Sequence, residues 1–217
     1  MSAQKPVLWW VRRDLRLADN PALTHAISTG RPVIPVFILD EVIETHGAAP
    51  KWRFGSGIDH FRKVLEALGS RLILRRGPAV EVILDLLAET EAVGVFWSRA
   101  YDPASIQRDT AVKSKLKDVG IDARSFAGHL LFEPWQVETK AGGFFKVYSP
   151  MWRAVKDLPV AECLQAPEGI AAPVHWPPSD QLDDWRMGAA MRRGADVVAK
   201  YVCVGEIPFG FVVIHRQ

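Results

Sequence analysis

Val7–Leu23, VLWWVRRDLRLADNPAL, is the stretch whose reading decides the fold. Val7–Val11 is an apolar run rich in β-branched and aromatic residues without polar alternation, the pattern of a strand buried on both faces. Arg12, Arg13, Asp14 and Arg16 follow where that strand leaves its sheet. Asn20 and Pro21 then supply an N-cap and a first helical residue, and Gly30 a stop. A strand, a charged turn and a helix in this order open an α/β fold that holds its ligand at the turn.

The same unit repeats outward from this stretch. Pro32–Leu39 reads as a second buried strand ending at Asp40 and Glu41, followed by a small polar loop through His46–Pro50. Trp52–Leu68 carries Ile58, Phe61, Val64, Leu65 and Leu68 at helical spacing. Arg71–Leu74, Val93–Trp97 and Ile121–Phe126 read as further strands, and Pro78–Glu89 and Ser105–Val119 as the helices between them. Parallel neighbours need crossover connections, so this alternation predicts a doubly wound, five-stranded parallel sheet with helices on both faces, Rossmann-like in layout. The first and fourth strands should be adjacent at the switch point. Its crevice would be lined by the loops Arg12–Arg16, Asp40–Lys51 and Arg99–Arg108.

Beyond residue 126 the pattern changes. Leu130–Val137 and Phe144–Tyr148 flank the turn KAGG and suggest a hairpin, and Ser149–Val155 a short helix. The α/β unit is taken as residues 5–158, and a Pro-rich extended linker or surface wrap as residues 159–186. Residues 187–217 form a Val- and Gly-rich tail with no clear periodicity, expected to have low order. Its apolar stretch Tyr201–Ile214 would be prone to aggregate if left uncovered.

Composition narrows the function classes. With 217 residues, 48% of them apolar, the chain can bury a sizeable core, and a net charge of +2 implies no global attraction to nucleic acid. The two cysteines, Cys163 and Cys203, have no metal or redox spacing, and no apolar run is long enough to span a membrane. A cytoplasmic, disulfide-free monomer is expected. The scattered histidines argue against a metal site. No GxGxxG, P-loop or nucleophile elbow is present, which argues against dinucleotide, NTP or serine-hydrolase chemistry of those types.

Four segments together resemble the photolyase/cryptochrome family, in its N-terminal α/β antenna domain. They are WWVRRDLRLADNPAL (Trp9–Leu23), VIPVFILDE (Val33–Glu41), YDPASIQRD (Tyr101–Asp109) and LFEPWQVETKAGGFFKVYSPMWRA (Leu131–Ala154). The resemblance covers about residues 5–160. It implies a domain that holds a light-harvesting chromophore: methenyltetrahydrofolate, 8-hydroxy-5-deazaflavin or FMN. In the family, FAD, DNA binding and light-driven splitting of cyclobutane pyrimidine dimers belong to a C-terminal helical domain. That domain has no counterpart in these residues, so FAD and DNA are not expected partners of this chain alone, and a truncated or frame-altered product is the expectation. Two departures concern the antenna. Where the folate-type pattern has an asparagine and a glutamate after the tyrosine, Ala104 and Ser105 stand here, and one of the two acidic residues of the deazaflavin-type pattern is replaced by Ala100.

The candidate chromophore-binding residues are Arg12, Asp14, Phe37, Asp40, Lys51, Asp102 and Arg108. A guanidinium fork such as that of Arg12 binds a phosphate or glutamyl tail bidentately, unless it is spent on Asp14 or Asp40. Phe37, Leu39 and Asp40 can form one wall against a planar ring, unless Phe37 is simply core. Lys51 begins the helix that borders the antenna pocket in the family, and Asp102 can accept from a ring N–H. Arg108 and Asp109 also read as a structural pair on their helix. Trp9, Trp10 and Trp97 read as core. Two other functions remain open: a chromophore-free binding or regulatory remnant of a photolyase, and, on fold analogy alone, an unrelated nucleotide-binding enzyme.

Overall fold

The computed structural model describes residues 4–139, 142–192 and 194–202. Its centre is a five-stranded parallel sheet in the order β3-β2-β1-β4-β5, formed by β1 (Val7–Val11), β2 (Val33–Leu39), β3 (Ile73–Arg76), β4 (Gly94–Ser98) and β5 (Asp122–Phe126). This is the doubly wound α/β fold expected from the sequence, with β1 and β4 adjacent at the switch point. Every residue of β1 and of β2 is buried, as strands covered on both faces require.

Alternation along β1 divides its side chains between two cores. Val7, Trp9 and Val11 face α1 (Pro21–Ser28) and the long α3 (Ala48–Ala67) through Leu23, Ile58, Phe61 and Leu65. Leu8 and Trp10 face α4 (Ala79–Thr90) and α5 (Pro103–Asp118) through Ile83, Leu86, Val112 and Leu116. A one-turn helix, α2 (Glu41–Glu44), lies between β2 and α3. Asn20 caps α1, its side chain accepting from the Leu23 amide at 3.0 Å.

Several boundaries differ from the sequence expectation, each for a local reason. Pairing with β2 from Val36↔Ile73 to Leu39↔Arg76 shifts β3 past Leu74 to include both arginines. Helix α3 starts at Ala48, because Pro50 falls in the first turn, where its missing N–H costs nothing. Asp102 caps α5 by accepting from the Ser105 amide at 2.9 Å, so that helix begins at Pro103. The expected hairpin does not form among the described residues. Pro134 cannot donate to a ladder, and Pro134–Gln136 instead makes a 3₁₀ turn capped by Glu133 and Gln136. Gly142 and Gly143 both have φ near +80°, and residues 140–141 of that turn lie outside the described residues. Tyr148–Val155 is helical and is called α6.

Residues 159–186 are a wrap held by specific bonds. The Asp19 amide donates to Leu164 O and the Val33 amide to Ala171 O. At the edge strand, Leu74 N–H donates to Ser179 Oγ at 2.9 Å and Asp180 N–H to Leu74 O at 2.8 Å. An open parallel edge is thereby partly covered. Past the wrap, the described residues of the tail, 187–192 and 194–202, lie partly against α3. Met187 is buried against Gly55, Gly188 abuts Trp52, Ala189–Met191 is a 3₁₀ turn on α3, and Gly194–Ala199 forms α7. Residues 203–217, with most of the apolar stretch Tyr201–Ile214, lie outside the described residues. No helix among the described residues is long and apolar enough to cross a membrane.

Candidate functional site

The switch point between β1 and β4 is filled by a buried ionic network. Arg12 leaves the end of β1 and donates through Nη1 to both Asp109 oxygens, at 2.8 and 3.0 Å, and through Nη2 to the Ser98 carbonyl. Asp109, on α5, also accepts from Trp97 Nε1 at 3.0 Å and from Arg108 at 2.8 and 3.1 Å. Arg108 in turn donates to Asp40 at 2.6 Å, and Asp40 caps α2 by accepting from the Val42 and Ile43 amides. Both guanidinium carbons lie 4.9 Å from the centre of the Trp10 ring, a geometry that favours cation–π attraction.

These charges persist inside the fold because each has an opposite partner. Burial lowers the Arg12 pKa, and Asp109 opposes that shift. Burial likewise raises the Asp40 pKa against the pull of Arg108 and the two backbone amides. Asp14 organises the turn next door. It accepts from the Arg12 amide at 3.0 Å, from Asn20 Nδ2 at 3.2 Å and from Ser98 Oγ at 2.5 Å, so one carboxylate joins β1, α1 and β4.

The structure therefore brings Arg12, Asp14, Asp40 and Arg108 together, bonded to one another or to the same neighbours. Arg108 and Asp109 form the pair their adjacency suggests. Phe37 lies apart from this network, under Phe54 and Trp185 with ring centres 6.2 Å away in each case. Asp102 sits at the outer rim, paired with Arg13 at 3.2 Å. Burial works against its charge, but the Ser105 amide and hydroxyl and Arg13 outweigh that and lower its pKa.

Lys51 lines a separate cleft of about 230 Å³ at the carboxyl end of β2, with Leu39, Glu44, His46, Trp185 and Arg186. Lys51 pairs with Glu44 at 3.4 Å. His46 stacks on Phe54 with ring centres 5.8 Å apart, and its Nδ1 is buried with no hydrogen-bond partner among the described residues. Burial lowers the His46 pKa, Arg13 adds to the effect, and the imidazole is favoured over the imidazolium. The cleft thus joins an aromatic wall, two cations and an imidazole whose neutral form is favoured.

His46, Glu44, Trp185 and Arg186 were not among the residues singled out from the sequence. His46 lay in a short loop without motif, and Trp185 and Arg186 arrive from a segment more than a hundred residues away whose path no periodicity foretells. The proline-rich wrap was the only signal, since an aromatic residue at its end needs somewhere to be buried.

Comparison with known proteins gives a consistent result. Residues 7–170 match the family model for DNA photolyase. The chain is 42% identical over 184 residues to a deoxyribodipyrimidine photo-lyase of Agrobacterium fabrum, covering 84% of this chain and 38% of that protein. It is 35% identical over 178 residues to cryptochrome-2 of Arabidopsis thaliana, covering 80% of this chain and 29% of the plant protein. Among solved structures, a bacterial class III photolyase from Agrobacterium tumefaciens superposes with a TM-score of 0.81 at 39% identity, covering 86% of this chain and 39% of that one. An archaeal photolyase from Sulfolobus tokodaii, solved with two FAD molecules, shares the fold at 22% identity, with a TM-score of 0.72 and coverage of 84% and 41%. The chain spans well under half the length of these relatives. On the matched residues and the shared sheet, this chain belongs to the DNA photolyase family.

Proposed function

We propose that the chain is a light-harvesting domain that binds one planar, anionic chromophore at the carboxyl end of β2. The observation that carries this reading is the cleft beside Trp185, lined also by His46, Lys51 and Arg186. Methenyltetrahydrofolate, 8-hydroxy-5-deazaflavin and FMN share the features such a cleft selects, a flat ring with polar edges and a carboxylate- or phosphate-bearing tail. The residues present fit that class. A cleft of about 230 Å³ is just below the usual size for a whole small-molecule ligand, ~300 Å³ and upward, so it accommodates the ring and leaves the tail to the rim cations.

Within this reading the division of labour follows from chemistry. Trp185 supplies the aromatic wall, His46 borders the ring, and Lys51 and Arg186 neutralise the tail. The Arg12–Asp109–Arg108–Asp40 network holds the ends of β1, β2 and α5 rigid around it, as a positioned site requires. A bound chromophore of this class would absorb near-ultraviolet or blue light. We assign this chain light capture and not dimer splitting, which is expected to need polypeptide its relatives carry beyond the matched region.

Absorption spectroscopy tests the reading. Purified protein should show a near-ultraviolet to blue band from a bound chromophore and should leave thymine dimers intact under illumination. Light-dependent repair by these 217 residues alone would contradict it. A second reading, a chromophore-free remnant, draws support from the same network, because Arg12, Asp40 and Arg108 are all satisfied by protein partners. Protein that stays colourless after incubation with all three chromophores would favour that reading.

A further inference from the structure

Residues 185–191 stand between two clefts. Trp185, Arg186, Met187, Ala189 and Ala190 line the cleft of about 230 Å³ at the end of β2. Arg186 and Met187 also line a second cleft, of about 350 Å³, together with Asp59 and Arg62 of α3. Little holds this partition in place. Among residues 186–192 only Met187 is buried, and its Cβ lies 3.3 Å from where a Cβ on Gly55 would stand. Gly188 passes over Trp52, one turn before Gly55 on the same face of α3. Within the described chain, the backbone hydrogen bonds of this stretch close on itself. The Ala189 amide donates to Arg186 O at 2.9 Å, Met191 to Gly188 O at 3.0 Å and Arg192 to Ala189 O at 3.3 Å. Both ends turn through left-handed residues, Arg186 at φ +47° and Arg192 at φ +50°.

We propose that residues 187–191 are a strap whose docking on α3 completes the cleft, so that strap docking and chromophore binding are one linked equilibrium. The inference rests on the chromophore reading of that cleft and adds its control. A segment anchored by one buried apolar side chain, bonded only to itself and flanked by cavities belongs to the low-stability end of a fold, which opens before the sheet does. When the strap lifts, the cleft loses Met187, Ala189 and Ala190. It keeps Leu39, His46 and Lys51, carried by β2, the turn before α3 and α3 itself. A chromophore touching both halves binds the docked state more tightly and therefore favours it. Reciprocity follows: a change that loosens the strap weakens the chromophore by the factor through which the chromophore tightens the strap. Entry and release then need only a local motion over α3, with the sheet intact.

Hydrogen exchange and chromophore titration on the full chain test this together. Gly188→Ala and Gly55→Leu crowd the strap contact from its two sides, and neither residue lines the cleft at the end of β2. Leucine also favours the helix at position 55, which keeps α3 formed. In the unliganded chain each variant should speed exchange at the Ala189 and Met191 amides about fivefold or more, with β1 amides unchanged. Methenyltetrahydrofolate, 8-hydroxy-5-deazaflavin and FMN are then titrated separately. The one that the parent chain binds should bind both variants about fivefold or more weakly, and at saturation it should slow strap exchange in the parent. Equal affinity in parent and variants, despite faster strap exchange, would overturn the linkage and leave the chromophore reading standing. Strap exchange unchanged by either substitution would overturn it as well. A parent chain that binds none of the three would remove both.

Discussion

Arg108 donates to Asp40 at 2.6 Å, joining helix α5 to the end of β2 across the width of β1. Both side chains are buried, and Arg108 reaches this position because Asp109, its neighbour on the helix, is itself fixed by Arg12 and Trp97. The pair is the outer link of a chain of charges whose inner link closes the switch point.

Breaking that chain should be costly. Removing one member of a buried ion pair strands its partner and typically costs about 3–5 kcal/mol. Asp109→Ala, which leaves both Arg12 and Arg108 without it, should approach the upper figure, and Arg108→Met the lower. Urea unfolding followed by circular dichroism measures both. A loss below about 1 kcal/mol for Asp109→Ala would show that the network contributes little to holding the sheet ends together.

The wrap should protect the sheet edge. Ser179→Ala deletes the acceptor for the Leu74 amide and should cost about 1 kcal/mol. Its sharper signature is local. Hydrogen exchange at Leu74 should accelerate while β1 amides remain protected, and an unchanged Leu74 rate would mean that Ser179 does not cover the edge.

Gly188 lets the chain pass close over α3. A methyl group there would lie 2.8 Å from Trp52 Cδ1, inside van der Waals contact, although φ itself is compatible with alanine. Gly188→Ala should therefore lift residues 187–191 from α3 and raise protease sensitivity there, with about 1–3 kcal/mol lost. Limited proteolysis with mass spectrometry reads the site of cutting.

His129 should make stability depend on pH. Protein packed around it lowers its pKa below the ordinary histidine value although the side chain keeps contact with solvent, so the shift is modest; Arg16, Arg12 and Arg13 add to it while Asp14 opposes it. The unfolded chain then binds a proton more readily than the folded one. Stability is complete above the unfolded-state pKa and is lost as pH falls through the lower, folded-state value. Thermal melts from about pH 7.5 to pH 5 should show a decline that His129→Gln reduces. An identical slope in the variant would assign the decline to other groups, with His46, also lowered by burial, the first to examine.

The fold was legible because its signal is local and repeated. Buried strands without alternation, amphipathic helices between them and caps at Asn20 and Gly30 each point to the same topology, and the strand order follows from the crossover rule. The arginine turn was legible as a functional place but not in its wiring. Nothing in RRDLRL tells whether Arg12 grips a ligand or Asp109, because that choice depends on a residue 97 positions away. The cleft was less legible still. It needs His46 from a featureless loop and Trp185 from a proline-rich wrap to meet, and of its lining only Leu39 and Lys51 had been named from the sequence. The hairpin failed for a simpler reason: alternating apolar residues resemble a strand even where a proline removes the donor that pairing needs.

Reconstitution with chromophore tests the central claim most directly. The full chain, incubated separately with methenyltetrahydrofolate, 8-hydroxy-5-deazaflavin and FMN, is passed over a desalting column and its absorbance read against protein concentration. The account predicts that one of the three stays bound near one per chain with a Kd of about 10 µM or tighter. Trp185→Ala and Lys51→Glu should each weaken that binding about tenfold or more, a loss of roughly 1.4 kcal/mol. Retention of none of the three, or retention unaffected by either substitution, would contradict a chromophore seat at the end of β2.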